Sequence, residues 1–175
     1  TKSPDNFKPI EKRILINNLK LFPYQNLYFT TLKYGALEHL SDKSQNKKIN
    51  LISPDDGYSV LFLSGIARPG LLKKHITKYS NDIHDFEYPD HYTYKPKDIQ
   101  NIISKFDKIN NPKKLIITTE KDFMRLEYVS NYSELINLPI FFVPLKIHFT
   151  NKDKVEFDKQ IIDYVRKNKR NSNLF

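Results

Sequence analysis

The stretch SVLFLSGIARPG, residues 59–70, decides the fold of this chain. Its first half, residues 59–64, is a nearly continuous apolar run, which is typical of a strand buried on both faces of a parallel sheet. Gly65 and Pro69 then predict a turn. An apolar stripe at helical spacing follows, formed by Leu71, Leu72, Ile76 and Tyr79. Strand, turn and helix in this order begin a β-α-β unit, so the sequence predicts a parallel sheet.

The same pattern continues toward the C-terminus. Residues 83–88 are predicted to form a short strand and residues 96–109 an amphipathic helix. Residues 114–119 form a second buried strand, and residues 138–143 form a last strong strand that residues 145–149 prolong or pair with. A final helix carries Phe157, Ile161 and Val165. We therefore predict an α/β fold with a mostly parallel sheet and helices on both faces, a Rossmann-like three-layer arrangement.

The N-terminal part has its own pattern. Pro9 opens a helix that Pro23 ends, and residues 27–34 form a strand. Residues 41–50 are polar and unpatterned, and residues 53–57 have strong turn chemistry. These observations predict four parts: residues 1–35, a connecting segment 36–57, an α/β domain 58–168, and a flexible basic tail 169–175.

The amino-acid composition limits the classes of protein to which this chain can belong. The 175 residues carry a formal net charge of +9, which favours anionic partners such as phosphates, nucleic acid or an acidic membrane surface. The absence of cysteine excludes disulfides and thiolate metal sites, and the five histidines lack metal-ligand spacing. No apolar run approaches the roughly 20 residues that span a bilayer. The chain starts at Thr1 and its only methionine is Met124, so we expect a fragment.

Three polar loops directly follow predicted strands: residues 65–69, 89–92 and 118–122. The carboxyl ends of parallel strands meet at one edge of a sheet, so we expect these loops to converge there. Asp90 and His91 bring groups that can exchange protons. The other candidates are a glycine that permits close approach of a ligand, two cations and a hydroxyl, namely Gly65, Arg68, Lys121 and Thr119.

Each candidate also has a purely structural explanation. Gly65 could be an ordinary turn glycine, and Thr119 could simply cap a helix. His91 could be a surface or packing histidine. The sequence contains no G-x-x-x-x-G-K-[ST] motif, so a nucleotide phosphate site, if one exists, lies elsewhere.

Five motifs in a fixed order carry a family resemblance. They are TKxP at residues 1–4, FTTxxY at 29–34, SGIAxP at 64–69, FxxxDHYT at 86–93 and TTEKD at 118–122. In this order and spacing they resemble the C-terminal half of the tetraacyldisaccharide 4'-kinase family. The resemblance runs from Thr1 to about Val165 and therefore covers nearly the whole chain.

The resemblance implies a reaction: transfer of the γ-phosphate of ATP, with Mg²⁺, to the 4'-hydroxyl of a tetraacyldisaccharide 1-phosphate in lipid A biosynthesis. An N-terminal domain of the family carries the phosphate loop and the metal-binding acids, so residues 1–35 are implied to be the end of that domain, a helix and strand of a P-loop NTPase. The present chain alone is then expected to be inactive.

The resemblance also implies roles for individual residues. His91 is implied to partner a catalytic Asp of the N-terminal domain, with Asp90 beside it, and Lys2 and Lys121 are implied to lie near the nucleotide. The implied substrate cleft contains Gly65, Arg68, Tyr92 and Thr119. Tyr92 departs from family members that have a second histidine there. No metal ligand is expected from this chain.

The expected partners are the lipid A disaccharide precursor, the N-terminal half of the same enzyme, and an anionic membrane surface. The implied location is peripheral, at the cytoplasmic face of the inner membrane of a Gram-negative bacterium. The alternative is a non-catalytic basic α/β domain that binds nucleic acid or another polyanion. We do not expect nucleic acid, because RNA-binding motifs are missing and the aromatic residues mostly occupy core-like positions.

Overall fold

A computed structural model describes residues 8–39, 53–149 and 153–172, with side chains as far as residue 168. The helices are α1 Pro9–Leu19, α2 Gly70–Ile76, α3 Pro96–Asp107, α4 Glu120–Leu126, α5 Ser133–Ile136 and α6 Asp153–Ser172. The strands are β1 Thr30–Tyr34, β2 Glu38–His39, β3 Ser59–Ser64, β4 Asp82–Glu87, β5 Lys114–Thr119, β6 Ile140–Val143 and β7 Leu145–Phe149. A short 3-10 helix spans Pro54–Asp56.

The chain divides into two compact units. Residues 34–145 form the first, which we call the sheet unit, and residues 1–33 with 146–175 form the second, which we call the terminal unit.

The sheet unit contains a five-stranded sheet in the order β2-β6-β5-β3-β4. Neighbours among β6, β5, β3 and β4 run parallel, and only β2 is antiparallel to its partner. The predicted α/β fold with a mostly parallel sheet is therefore confirmed. The apolar runs 59–64 and 114–119 gave strand limits that agree with β3 and β5 to the residue.

Helices cover both faces of this sheet, because alternate side chains of each central strand point to opposite sides. Leu61, Leu63 and Ile116 pack with apolar side chains of α3, α4 and α5 in one cluster. Val60, Phe62, Leu115 and Ile117 pack with Leu72 and Ile76 of α2 in the other. The three-layer arrangement follows directly from strands that are apolar on both faces.

The connecting segment and the last strands differ from expectation. Leu37 is fully buried and β2 joins the sheet, so part of the predicted connector 36–57 belongs to the sheet unit, while residues 40–52 lie outside the described ranges. β7 neither prolongs β6 nor pairs with it. Pro144 separates the two strands, and β7 instead pairs with β1 in a two-stranded sheet.

The terminal unit combines this two-stranded sheet with α1 and α6. The Phe157 ring of α6 contacts Tyr28 and Phe149, with ring centroids 5.4 and 5.0 Å away. Asp153 at the start of α6 accepts a hydrogen bond from the Phe29 backbone N–H. The predicted domain 58–168 therefore differs from the sheet unit, since α6 groups with the N-terminal segment. The helix also continues past residue 168 to Ser172, where a flexible tail was predicted.

None of the helices in the described ranges combines the length and apolar character needed to cross a membrane.

Candidate functional site

Three loops meet at the carboxyl edge of β3, β4 and β5, as the parallel sheet predicts. The backbone N–H of Gly65, after β3, donates to Asp122 Oδ2 at 2.9 Å in the segment after β5. Lys121 Nζ lies 3.7 Å from Asp90 Oδ1 in the loop after β4. These contacts join all three loops into one polar rim, which we call the strand-end rim.

The Asp90–His91 pair lies in a tight turn. The Tyr92 N–H donates to the Pro89 carbonyl at 3.2 Å, and His91 has φ +60°, a backbone region that usually takes glycine or asparagine. Asp90 Oδ1 accepts the His91 backbone N–H at 3.0 Å, which stabilises this conformation. The turn leaves the His91 side chain 76% exposed, with Nε2 3.6 Å from Asp90 Oδ2. The geometry presents an imidazole to solvent beside a carboxylate.

Asp122 anchors the rim from inside. Its side chain is fully buried, and Oδ2 accepts hydrogen bonds from the Gly65 N–H and from the Thr119 hydroxyl at 2.7 Å. Its other oxygen lies 3.6 Å from Arg125 Nη1. A buried carboxylate is costly unless it is paired and hydrogen-bonded, so these contacts fix the loops after β3 and β5 to each other.

Gly65 and Thr119 both help to hold the Asp122 side chain in place. A Cβ on Gly65 would lie 2.9 Å from Asp122 Oδ1 and 3.0 Å from the Tyr94 hydroxyl. The absence of a side chain at Gly65 therefore leaves room for the Asp122 carboxylate and the Tyr94 hydroxyl. Thr119 is buried and caps α4, since its hydroxyl oxygen accepts the Asp122 N–H at 3.0 Å.

Three tyrosines form a wall next to the turn. The ring centroids of Tyr88, Tyr92 and Tyr94 are 4.6 to 5.4 Å apart. Burial raises the pKa of Tyr94, and the nearby Asp122 carboxylate raises it further. Burial likewise raises the pKa of Tyr88. The Tyr92 hydroxyl donates to Asp98 Oδ2 at 3.1 Å. These phenols are neutral at physiological pH and serve as packing and orienting groups.

The predicted cations are placed differently from one another. Lys121 is 47% exposed and faces Asp90. Arg68 is exposed on the loop after β3, and in the part of the chain that the structure describes it has no hydrogen bond or ion pair. Lys2 lies outside the described residues.

Sequence reasoning missed Arg125, the cation most closely tied to the Asp–His turn. Its Nη2 lies 3.4 Å from His91 Nδ1, and its Nη1 lies 3.5 Å from the Gly65 carbonyl oxygen. A signal was present, because Arg125 follows Asp122 by three residues and Lys121 by four, which places all three on neighbouring positions of one helix surface.

The described residues do not form a metal site. Within residues 8–39, 53–149 and 153–172, no group of three or more His, Asp or Glu side chains could hold a metal ion. Asp90 and Asp122 of the rim already lie beside the cations Lys121 and Arg125.

The fold and the rim together define an α/β domain that collects an Asp–His pair and cationic side chains at the strand ends. Comparison with known proteins gives the family. The model of the family described as tetraacyldisaccharide-1-P 4'-kinase matches residues 13–166, and the chain belongs to this family.

Several relatives bear the name tetraacyldisaccharide 4'-kinase. Those from Phocaeicola vulgatus and Bacteroides thetaiotaomicron are 36% and 35% identical, and each match covers 99% of this chain and 47% of the relative. The chain thus spans about half the length of the curated relatives it matches. A crystal structure described as the "apo" form of LpxK from Aquifex aeolicus in complex with ATP matches with a TM-score of 0.44 and 15% identity, covering 78% of this chain and 36% of that one.

Proposed function

We propose that this chain is the C-terminal half of a kinase that transfers the γ-phosphate of ATP to the 4'-hydroxyl of a tetraacyldisaccharide 1-phosphate in lipid A biosynthesis. The observation that carries the proposal is the exposed Asp90–His91 pair at the strand-end rim of a chain that belongs to this kinase family. Phosphoryl transfer depends mainly on positioning and electrostatic stabilisation, and a rim of fixed polar groups is suited to that task.

His91 is the residue we assign to the acceptor hydroxyl. It is exposed, so a sugar hydroxyl or a carboxylate of the N-terminal half can reach it, and its backbone is fixed by the Pro89–Tyr92 turn. Asp90 holds the turn and pairs with Lys121. Lys121 and the exposed Arg68 supply positive charge for a phosphorylated substrate.

ATP and Mg²⁺ belong to the N-terminal half in this proposal. The sequence has no phosphate-binding glycine loop, and the carboxylates of the rim do not form a metal cluster. The role we assign to this chain is to hold and orient the acceptor, with Lys121 near the nucleotide as the resemblance implies.

The terminal unit supplies the attachment to the N-terminal half. Its helix α1 buries no side chain among the described residues, and Ile10 and Ile14 are 57% and 53% exposed. Large apolar side chains are also exposed on α6, including Val155 at 72%. Apolar surface of this extent is typical of a contact with another part of a protein. This exposed surface supports our proposal that the N-terminal segment, residues 1–35, is the end of the nucleotide-binding domain.

The direct test is phosphate transfer from ATP to tetraacyldisaccharide 1-phosphate, measured with the product of the full reading frame and with this chain alone. The full product should form the bisphosphorylated lipid, and the 175-residue chain should not. The coding sequence upstream of Thr1 should contain a glycine-rich loop ending in Gly-Lys-Ser/Thr. A full product that lacks both the loop and the transfer activity would contradict the proposal.

Membrane contact is the second part of the proposal. The substrate is a lipid, and the net charge is +9. Each Lys or Arg near an anionic surface contributes about 1 kcal/mol of attraction, so a few basic side chains suffice for peripheral binding at the cytoplasmic face of the inner membrane. The chain should sediment with anionic vesicles at low salt, be released as salt rises, and ignore neutral vesicles. Lack of binding at low salt would assign membrane attachment to the N-terminal half.

A further inference from the structure

One guanidinium group, that of Arg125, connects all three loops of the strand-end rim. Its Nη1 approaches the Gly65 carbonyl oxygen at 3.5 Å and Asp122 Oδ1 at 3.6 Å, and its Nη2 approaches His91 Nδ1 at 3.4 Å. The Arg125 side chain is 25% exposed, and Asp122 is fully buried. The guanidinium is therefore anchored on its inner side by a rigid carboxylate, and its outer side faces the imidazole.

The contact with His91 determines which ring nitrogen carries the proton. A guanidinium has five N–H donors, no acceptor, and does not lose its proton in proteins. A hydrogen bond between Arg125 and His91 therefore requires Nδ1 to be the acceptor. In the neutral ring the proton is then on Nε2, which lies 3.6 Å from Asp90 Oδ2.

His91 needs such a partner because little else restrains its ring. The side chain is 76% exposed, and the hydrogen bonds of the turn fix only the backbone. An exposed imidazole on a short turn can rotate between rotamers within nanoseconds. A hydrogen bond from a neighbouring residue to one ring nitrogen is a common means of fixing the tautomer and the orientation of the other nitrogen.

We propose that Arg125 is a positioning residue for His91: held by Asp122, it donates to Nδ1, so that His91 presents its Nε2–H to the reacting groups. This proposal rests on the proposed function for its catalytic consequence, but the contact itself belongs to this chain. In the neutral ring, Nε2–H is then an oriented donor toward a carboxylate, and the Nδ1 lone pair is directed at Arg125.

The first test uses this chain without any activity measurement. In the chain labelled with ¹⁵N-histidine at mildly alkaline pH, the imidazole ¹⁵N shifts report the tautomer, and the His91→Gln variant assigns the His91 signals. We expect the wild-type His91 ring to be the Nε2–H tautomer. Arg125→Met should move the two ring-nitrogen signals of His91 toward each other. Met124→Ala, a change at an exposed position on the same helix, should leave them in place. Unchanged His91 shifts in Arg125→Met would overturn the proposal.

The second test separates positioning from packing. Arg125→Lys and Arg125→Met have side chains of similar length, but only lysine can donate to Nδ1. In the full-length enzyme we expect Arg125→Met to lower kcat by about 10- to 100-fold with KM values changed by less than about twofold, and Arg125→Lys to retain most of the activity. Equal losses in both variants, or a loss confined to KM, would overturn the positioning role.

A double-variant cycle then shows whether Arg125 acts through His91. In a His91→Ala background, Arg125→Met should have little further effect, within about twofold, because the partner is already absent. Multiplicative losses would overturn the proposal. If His91→Ala itself has full activity, the proposed function of His91 fails instead, and the ¹⁵N shifts still decide whether the Arg125 contact exists.

Discussion

The two units of the chain bury their apolar side chains very differently. In the sheet unit, Phe62 and Ile117 are completely buried in the cluster that includes Leu72 and Ile76 of α2. In the terminal unit, Ile10, Ile14 and Val155 are all more than half exposed. The sheet unit completes its own core, whereas the terminal unit leaves apolar surface uncovered. The strand-end rim belongs to the unit that completes its own core, and a packed scaffold suits an oriented catalytic group.

The largest expected effect is a difference between matched truncations in the two units. Ile117→Ala removes a fully buried side chain from the central strand β5 and should lower the free energy of unfolding by about 2–5 kcal/mol. Ile10→Ala makes the same chemical change at a position that is 57% exposed and should change it by less than about 0.5 kcal/mol. Urea denaturation followed by circular dichroism measures both. Similar losses of unfolding free energy in the two variants would contradict the difference in burial between the two units.

A second prediction concerns the packing at the rim. Gly65→Ala places a Cβ 2.9 Å from Asp122 Oδ1 and 3.0 Å from the Tyr94 hydroxyl, so we expect a loss of about 1–3 kcal/mol in unfolding free energy. Gly70→Ala is the matched control, because a Cβ there meets no atom within 4 Å and alanine favours the helix. Gly70→Ala should be neutral or stabilise by up to about 1 kcal/mol. Thermal unfolding of both variants tests this, and equal behaviour would refute the anchor described for Asp122.

The smallest expected effect is a pH dependence of the unfolding free energy of the sheet unit. Burial, aided by the positive charge of Lys78, lowers the pKa of His75 below 6.5, and its hydrogen-bond contact with the Gly35 backbone only partly opposes this. Between the folded pKa and 6.5, the unfolded state therefore binds more protons than the folded state. The contribution of neutral His75 to the unfolding free energy is complete above pH 6.5 and is lost as the pH falls through the folded pKa.

His75→Phe tests this dependence, because it retains an aromatic ring beside Tyr34 and Tyr79 but does not titrate. The decrease in unfolding free energy from about pH 7.5 to about pH 5.5 should be smaller in the variant than in the wild type. Identical decreases would show that His75 is not the group responsible.

Much of the sheet unit could be predicted because its signals are local. The apolar runs at 59–64 and 114–119 and the stripe of α3 are set by period and burial, which a single sequence displays. The convergence of the three loops follows from parallel pairing alone.

What could not be predicted depends on contacts between residues far apart in the sequence. The pairing of β7 with β1 across more than a hundred residues has no local signal, and neither has the positive φ of His91. Arg125 was overlooked because a charged residue in the last turn of a helix is usually solvated or interacts with the helix dipole. Helical spacing places it beside Asp122, but its contacts with Gly65 and His91 appear only when the three loops are brought together.

The most direct test of the account is the activity of His91→Ala in the full-length enzyme, compared with Met124→Ala as an exposed control. The assay is phosphate transfer from ATP to tetraacyldisaccharide 1-phosphate, with folding checked by thermal unfolding. Loss of a residue that orients the group receiving the reacting proton should lower kcat/KM by about 10²–10⁴-fold, while the control stays near wild type. A folded His91→Ala variant with wild-type kcat/KM would contradict the claim that the strand-end rim acts on the acceptor hydroxyl.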